Sequence, residues 1–368
     1  MDGIKLAERA IATDISGIRK VAEMIRSLKD PIDLSIGQPH FGVPESIREA
    51  AKKAIDDGMN IYTETQGIPQ LVNAFQEKLE GKYDKEEIIA TSAVTGGLVL
   101  SFMALLNPGD EVLISDPYFV LNKQLALLLG AKPVFYENYD YDFQMPLEKI
   151  ESLITKKTKA IVICSPSNPT GAVYSPEELK ALAKILDKHG IVAISDEIYE
   201  LFCYDFPFVS ISEFYRQKTI VLKGLSKSYA MTGWRLGYAA GPKELIQTMA
   251  KLQQFTFICA PSMVQVAALE ALKVDMTPFT EDYKNKRDRI YSGLMEIGYE
   301  VIKPAGAFYI LPKAPSGDGV EFVKKCIAEN LLVVPGSVFS QKDTHFRISY
   351  AAPDETIERG LEVLRRIF

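Results

Sequence analysis

Two cations lie close together in a segment that carries no acidic residue. Residues 226–237 read SKSYAMTGWRLG, so Lys227 is followed by Arg235 with no Asp or Glu between them. Two positive charges at short range repel one another, and a nearby anion offsets this repulsion. Because the segment itself supplies no anion, we expect these two side chains to bind an anionic ligand.

Polar side chains lie within four residues after three apolar runs that are typical of buried strands. The runs are AIVIC, IVAIS and TIVLK, and the side chains that follow them, in the same order, are Asn168, then Asp196 with Tyr199, then Lys227. The carboxyl ends of parallel strands meet at one edge of a sheet, and ligands bind there. We therefore expect an amide, a carboxylate, a phenol and an amine to line one rim.

Pyridoxal 5'-phosphate is a cofactor whose ring uses all four of these groups. It needs an amine that holds its aldehyde as a Schiff base, and Lys227 supplies one. A carboxylate beside the ring nitrogen, here Asp196, keeps the ring protonated and electron-withdrawing. Tyr199 and Asn168 supply hydrogen-bond partners for the hydroxylate of the ring.

The phosphate of the same cofactor explains why Arg235 has no acidic residue nearby in the sequence. Arg235 would neutralise the phosphate through its guanidinium, and the hydroxyl of Ser226 would add a hydrogen bond. The sequence therefore predicts pyridoxal 5'-phosphate as the cofactor.

Short β-branched runs alternate with helix-like segments from about residue 85 onward. This alternation predicts a mostly parallel sheet covered by helices on both faces. In the segment SPEELKALAKILDKHG, Ser175 is the predicted N-cap and Gly190 the predicted end of a helix. The predicted strands are 111–115, 132–136, 160–164, 191–195 and 219–223.

The pattern changes after residue 240, which indicates a second, smaller α+β domain. Three long helical segments precede short apolar runs and a last helix that starts near residue 353. The predicted helices are 242–258, 261–272 and 278–296, and the predicted strands are 307–311, 331–335 and 346–350.

The segment GLSKSYAMTGWRLG (224–237) resembles the pyridoxal-phosphate attachment signature of class I/II aminotransferases, the aspartate aminotransferase-like enzymes of fold type I. Other motifs resemble the family in the same order along nearly the whole chain: IDLSIGQPHFGVPESI, YTETQGIPQL, PSNPTG, DEIY, GAFYI, VVPGSVF and FRIS. The resemblance implies an α/β fold with a seven-stranded, mostly parallel sheet. The predicted parts are an N-terminal segment (1–40) that joins the small domain, a large cofactor-binding domain (41–265) and a small C-terminal domain (266–368).

The resemblance also implies a role for each residue that matches a family motif. Lys227 would be the Schiff-base lysine and proton shuttle, and Asp196 and Tyr199 would complete the catalytic set. The implied cofactor contacts are Lys227, Asp196, Tyr199, Asn168, Phe119, Val94, Thr95, Ser226, Arg235 and Tyr62, and the implied substrate contacts are Arg347, Gly37 and Asn168. Tyr62 would reach the phosphate in the partner subunit, so the resemblance implies an obligate homodimer.

The sequence departs from the family pattern at two positions near the predicted phosphate site. Ala93 stands where glycine is usual at the start of the phosphate-binding helix. The backbone N–H groups of Val94 and Thr95 could still bind phosphate at a helix N-terminus. Gly224 replaces a frequent serine, which removes one hydroxyl from the phosphate site.

The composition excludes several other classes of protein. The formal charge is -6 with no basic block among the 368 residues, which argues against nucleic acid as a partner. No apolar stretch is long enough to cross a bilayer. The cysteines lack metal-ligand or disulfide-framework spacing, so we predict no metal site and a cytoplasmic location; they are Cys164, Cys203, Cys259 and Cys326.

The leading hypothesis is an aminotransferase that moves the amino group of an L-amino acid to a 2-oxo acid, with 2-oxoglutarate as the expected acceptor, by a ping-pong mechanism. A pyridoxal-phosphate-dependent C–S β-lyase would use the same residues and stays open. A non-catalytic effector-sensing domain is disfavoured, because such regulators carry an added DNA-binding module and the predicted domains use all 368 residues. A nicotinamide-binding fold is disfavoured because no GxGxxG follows the first strand.

The expected side-chain pocket offers no cation, which favours aromatic or other neutral amino acids over acidic ones. The residues expected to line it are Ile15, Ser16, Gly17 and Thr95. A partner subunit could supply a cation, so the amino-acid substrate stays open.

Overall fold

Seven strands form one sheet in the computed structural model, which describes residues 4–13, 17 and 29–368. The described residues contain twelve strands in all: β1 (Ile32–Asp33), β2 (Ile88–Thr91), β3 (Glu111–Asp116), β4 (Lys132–Glu137), β5 (Thr158–Cys164), β6 (Val192–Asp196), β7 (Thr219–Gly224), β8 (Gly237–Ala240), β9 (Tyr309–Ile310), β10 (Leu331–Leu332), β11 (Val334–Pro335) and β12 (Phe346–Ser349). The order in the large sheet is β2-β8-β7-β6-β5-β3-β4. Strand β8 is antiparallel to both of its neighbours, and the pairs from β7 to β4 are parallel.

Helices connect the strands and cover both faces of this sheet. The α-helices are α1 (Glu8–Ile11), α2 (Glu45–Asp56), α3 (Pro69–Lys78), α4 (Ala93–Leu105), α5 (Val120–Leu128), α6 (Leu147–Ser152), α7 (Pro176–His189), α8 (Ser212–Tyr215), α9 (Leu225–Ser228), α10 (Lys243–Gln253), α11 (Ser262–Ala271), α12 (Thr277–Ile297), α13 (Gly319–Ala328) and α14 (Asp354–Ile367). None of the helices in the described ranges is long and apolar enough to cross a membrane.

Helix α7 begins and ends as its sequence predicts. The hydroxyl of Ser175 accepts a hydrogen bond from the N–H of Glu178, whose carboxylate accepts one in return from the N–H of Ser175. This reciprocal pair satisfies N–H groups that the first turn leaves without partners. At the other end Gly190 has a φ of 72°, a left-handed conformation that stops the helix.

The central strands are buried on both faces. In β5, Ala160 and Val162 belong to one hydrophobic cluster, and Ile161 and Ile163 belong to another. Alternate side chains of a strand point to opposite faces, so the two clusters lie on opposite sides of the sheet. This burial explains the continuous apolar runs that mark these strands in the sequence.

A smaller set of strands lies in the C-terminal part of the chain and includes a segment from the N-terminus. Strands β11, β12 and β9 form an antiparallel sheet, and β1 pairs in parallel with β10. The predicted α/β fold, with its seven-stranded sheet and smaller α+β part, is confirmed. The domain boundaries at residues 40 and 265 stay predictions, and helix α11 continues through residue 265 while packing against α2.

Candidate active site

A cavity of about 230 Å³ lies at the carboxyl ends of β5, β6 and β7. Asp196 is the last residue of β6, and Lys227 lies in α9, which directly follows β7. The predicted site residues that line this cavity are Gly37, Val94, Thr95, Phe119, Asn168, Asp196, Tyr199, Ser226, Lys227, Arg235 and Arg347. The fold therefore brings together residues that are up to 310 positions apart in the sequence, from Gly37 to Arg347.

Burial changes the acid–base properties of the two central groups in opposite directions. Burial raises the pKa of Asp196 to about 7, and the neighbouring carboxylate of Glu197 adds to the rise. Burial also lowers the pKa of Lys227 to about 8, and the positive charges of Arg347 and Arg235 lower it further. The amine of Lys227 therefore loses its proton much closer to neutral pH than an exposed lysine, which is what a nucleophile or base requires.

The amine of Lys227 has one hydrogen-bond partner from the N-terminal loop. It donates to the carbonyl oxygen of Gly37, which lies 190 residues earlier in the chain. The phenol of Tyr199 is fully buried, and burial raises its pKa well above the usual value. This tyrosine is therefore a neutral hydrogen-bond donor within the cavity.

Arg347 is almost fully buried and meets no carboxylate among the described residues. Its guanidinium donates to the side-chain oxygen of Asn168 at 2.9 Å and to the carbonyl oxygen of Ser35 at 2.7 Å. The rings of Tyr309 and Phe339 each have their centres 4.5 Å from its central carbon. A buried charge without a counter-ion is unfavourable, so the arrangement suits an anionic ligand that arrives with the substrate.

Two further groups that line the cavity, Arg235 and Ser226, are suited to an anion. Arg235 donates to the carbonyl oxygen of Thr232 at 2.8 Å, and no carboxylate of the described residues lies within ion-pair distance of it. The hydroxyl of Ser226 is buried and has no hydrogen-bond partner within the described structure. Both groups can therefore bind a ligand without giving up a contact to an acidic side chain.

Helix α4 begins beside these two groups, and its first residue explains one departure from the family pattern. Ala93 has a φ of 57°, the left-handed region that favours glycine. The alanine thus adopts the backbone conformation that glycine usually provides. Val94 and Thr95 follow in the first turn, whose N–H groups lack partners within the helix and can bind an anion.

Two glycines let the sheet approach the start of α4 closely. A methyl group on Gly237 would lie 2.7 Å from the carbonyl oxygen of Lys223 and 3.0 Å from the backbone nitrogen of Val94. A methyl group on Gly224 would lie 2.8 Å from Ile198 and 3.1 Å from the side chain of Val94. The space that a serine side chain would need at position 224 is therefore filled by two aliphatic side chains.

Several residues that line the cavity were missed by sequence reasoning. They are Leu98, Cys164, Ile198, Thr232 and Tyr309. The hydroxyl of Tyr309 lies 2.9 Å from that of Tyr199, so it is the missed residue with the most direct contacts to the site. Its motif GAFYI is visible in the sequence, but nothing in the motif alone shows which of its side chains points into the site.

Four other predicted positions lie away from the cavity or outside the described residues. Tyr62 is 78% exposed and does not line the cavity. Ile15 and Ser16 lie outside the described residues. Gly17 is described, and a methyl group on it would lie 2.4 Å from Val338, away from the cavity lining.

The residues around the cavity fit pyridoxal phosphate. The amine of Lys227 can react with the aldehyde, and Asp196 supplies a carboxylate for a protonated ring nitrogen. The unpartnered hydroxyl of Ser226 and the guanidinium of Arg235 offer the donors that a phosphate requires.

Comparisons with known proteins agree with this reading. The model of the family described as aminotransferase class I and II matches residues 29–364. A probable aspartate aminotransferase of Methanocaldococcus jannaschii is 41% identical over 370 residues, covering 96% of this chain and 97% of that protein. A probable N-acetyl-LL-diaminopimelate aminotransferase of Bacillus subtilis is 38% identical over 371 residues, covering 98% of this chain and 94% of that protein.

Solved structures agree as well. The aspartate aminotransferase from Thermus thermophilus with maleate has a TM-score of 0.94 to this structure and is 35% identical, with 100% of both chains covered. The chain therefore belongs to the class I and II aminotransferases, the pyridoxal-phosphate-dependent enzymes that transfer amino groups between amino acids and oxo acids.

Proposed function

We propose that the chain transfers the amino group of an L-amino acid to 2-oxoglutarate in a ping-pong reaction, with pyridoxal phosphate attached to Lys227. The observation that carries the proposal is the position of this lysine. Its amine has a pKa of about 8 and faces Asp196 in a cavity that also holds two arginines, Arg235 and Arg347, without acidic partners among the described residues.

The residues at one end of the cavity hold the cofactor. When bound, pyridoxal phosphate withdraws electrons from the Cα of the substrate as a bond to that carbon breaks. The carboxylate of Asp196 stabilises the positive charge on the ring nitrogen. Tyr199 and the amide of Asn168 would donate hydrogen bonds to the hydroxylate of the ring, and Phe119 would pack against the ring.

Three kinds of hydrogen-bond donor would hold the phosphate of the cofactor. Arg235 would neutralise part of its charge, Ser226 would donate a hydroxyl hydrogen bond, and Val94 and Thr95, whose N–H groups belong to the first turn of α4, line the same cavity. Because the Ser226 hydroxyl has no partner among the described residues, the hydrogen bond to phosphate replaces none within the protein.

Lys227 would move the proton of the substrate. Its lowered pKa lets the free amine exist near neutral pH, so it could take the proton from Cα of the amino acid as a base and give it up again as an acid. The same side chain therefore serves as base and then as acid.

Arg347 binds the α-carboxylate of both substrates. A planar guanidinium forms two parallel hydrogen bonds to a carboxylate, which fixes the orientation of Cα as well as its position. The contacts of Arg347 with Asn168 and Ser35 hold the guanidinium in place before the substrate arrives, and Gly37 lines the same cavity. The described lining holds no further cation for a side-chain carboxylate, which favours neutral or aromatic amino acids.

We also propose a homodimer in which Tyr62 completes the site of the partner subunit. Large apolar side chains are exposed in two neighbouring segments: Ile61, Tyr62, Phe255, Phe257 and Ile258. Gln253 joins these segments by donating to the carbonyl oxygen of Thr65 at 2.7 Å. Phe257 lies near Gly96 in the first turn of α4, so the apolar surface borders the phosphate end of the cavity.

Mixed dimers test the shared site. Lys227→Ala and Tyr62→Ala are each expected to lower activity strongly. If Tyr62 acts across the interface, the mixed dimer contains one site with an intact lysine and an intact partner tyrosine, so mixing the two variants restores activity. No recovery after mixing and subunit exchange would mean that Tyr62 does not act in the partner's site.

Two measurements test the transfer reaction itself. Reduction with borohydride followed by peptide mapping should leave a pyridoxyl group on Lys227. A panel of amino acids, with 2-oxoglutarate as acceptor, should convert the absorbance of the bound cofactor and yield glutamate. Release of pyruvate from thioether amino acids without such conversion would favour the C–S β-lyase, and an untagged Lys227 would refute the proposal.

A further inference from the structure

Tyr309 contacts three groups that have separate roles in the site. Its hydroxyl lies 2.9 Å from the hydroxyl of Tyr199, and its ring centre lies 4.5 Å from the central carbon of Arg347. The same hydroxyl lies 2.5 Å from where a Cβ would stand on Gly37, the residue whose carbonyl oxygen accepts a hydrogen bond from Lys227.

The small sheet explains why Tyr309 and Arg347 meet. Tyr309 in β9 is paired with Ser349 in β12, and Arg347 lies two residues before Ser349 on the same strand. Residues two apart on a strand point to the same face, so Tyr309 and Arg347 are diagonal neighbours on one face. Only 1% of Tyr309 is exposed, so its ring and its hydroxyl have little freedom to move elsewhere.

We propose that Tyr309 is a positioning residue that acts on the cofactor through the hydroxyl of Tyr199 and on the substrate through the guanidinium of Arg347. This inference rests on the proposed function, because it requires that Tyr199 bind the cofactor and that Arg347 bind the substrate carboxylate. The hydroxyl and the ring of Tyr309 then have separate roles. The hydroxyl serves the cofactor, and the ring serves the substrate.

The direction of the hydrogen bond follows from the proposed roles. In the pair of phenols, either hydroxyl can be the donor. When Tyr199 donates a hydrogen bond to the hydroxylate of the cofactor, its oxygen can only accept a hydrogen bond from Tyr309. A phenol that accepts a hydrogen bond becomes a stronger donor, because hydrogen bonds in a chain polarise one another. Tyr309 therefore helps Tyr199 to stabilise the negative oxygen of the cofactor.

The ring of Tyr309 acts differently. Together with Phe339 it contacts the guanidinium of Arg347, whose hydrogen bonds to Asn168 and Ser35 fix only part of its orientation. Loss of one ring leaves space into which the guanidinium can tilt, so the fork is no longer held in the plane that the carboxylate needs. This effect appears in the binding of the substrate and not in the absorbance of the cofactor.

The pH dependence of the absorbance of the resting holoenzyme tests the role of the hydroxyl. Tyr309→Phe removes the hydroxyl and keeps the ring. The deprotonated form of the lysine-bound cofactor loses stabilisation, so we expect the midpoint of its titration to rise by about half a pH unit to one unit, with KM for the amino acid changed by less than about two-fold. Tyr350→Phe is the matched control, since it removes a buried hydroxyl that donates to the carbonyl oxygen of Ala307.

Two further variants separate positioning from general structural damage. In a Tyr199→Phe background, adding Tyr309→Phe should leave the midpoint unchanged, because the hydroxyl of Tyr309 then has nothing to act through. Tyr309→Leu should raise the midpoint as Tyr309→Phe does and in addition raise KM for the amino acid by about ten-fold or more.

The outcomes distinguish this inference from the proposed function. A wild-type enzyme without the absorbance of a lysine-bound cofactor would overturn both. A normal wild-type titration with an unshifted midpoint in Tyr309→Phe would overturn only the role of Tyr309. Equal shifts in Tyr309→Phe and Tyr350→Phe, or a full additional shift in the Tyr199→Phe background, would show that the hydroxyl does not act through Tyr199.

Discussion

The burial of Asp196 should make the cofactor-free protein less stable as the pH rises from 4 to 7. The carboxyl has a pKa of about 7 in the folded protein, whereas its ordinary value is 3.8. Between these values the folded state holds the proton more tightly than the unfolded state does, so the free energy of unfolding falls as the pH rises. A difference of about 3 pH units corresponds to about 4 kcal/mol at about 1.36 kcal/mol per unit.

Lys227 contributes with the opposite sign and in another pH range. Its pKa of about 8 in the folded protein lies below the ordinary value of 10.5, so the unfolded state holds more protons between pH 8 and pH 10.5. Stability therefore rises with pH in that range. The two buried groups together destabilise the cofactor-free protein most between pH 7 and pH 8, where both are charged.

Asp196→Asn tests the first of these contributions, because an amide of the same shape cannot ionise. We expect the cofactor-free variant to match the wild type near pH 4 and to exceed its unfolding free energy by up to about 4 kcal/mol above pH 7. The same variant should bind pyridoxal phosphate more weakly, since the ring nitrogen loses its carboxylate. Opposite effects on stability and on cofactor affinity are the expected signature of a group that is destabilising until its ligand is bound.

Urea denaturation of the cofactor-free proteins at several pH values from 4 to 8 measures the effect. Asp56→Asn is the control, since Asp56 is exposed on α2 and the change should leave the pH dependence as it is in the wild type. If the unfolding free energies of the wild type and Asp196→Asn stay parallel across this range, the argument from burial is wrong.

Three further predictions concern the substrate, the helix start at the phosphate site and a helix cap. Arg347→Lys keeps the charge but loses the planar fork, so kcat/KM should fall by about 10-fold to 150-fold. Arg287→Lys is the control: Arg287 is buried and paired with Asp205 away from the cavity lining, so this change should leave kcat/KM within about two-fold. In Gly237→Ala the new methyl group would clash with the carbonyl oxygen of Lys223, so the change should weaken cofactor binding and lower the free energy of unfolding by about 1–3 kcal/mol. Gly233→Ala is the control, since no atom lies within 4 Å of its new methyl group, and it should change neither quantity. Ser175→Ala should lower the urea unfolding free energy by about 1 kcal/mol without changing kcat, and an unchanged unfolding free energy would contradict the capping role.

Much of the large sheet could be predicted from local patterns. Strands that are buried on both faces must be apolar throughout, so β3, β5, β6 and β7 are visible as continuous runs. The short strands β2 and β8 were not predicted from such runs. Strand β8 reads GYAA and contains no β-branched residue, so only its pairing with β2 and β7 reveals it.

The same division applies to the candidate site. Residues within a few positions of the end of a predicted strand, such as Asp196 and Lys227, could be placed at one rim because the direction of parallel strands is regular. Tyr309 and Ser35 come from another sheet and from the N-terminal loop, and no local pattern indicates that they meet Arg347. Their contacts depend on how the parts of the fold pack together.

The sequence by itself determined which chemical groups are available and in what order they follow the strands. The amine at 227, the carboxylate at 196 and the guanidinium at 235 are properties of residue type and spacing. Only the tertiary structure decided how acidic or basic those groups are, because burial and neighbouring charges come from segments remote in sequence. Arg347 lies 120 residues after Lys227, yet its charge is one of the causes that bring the amine to a pKa of about 8.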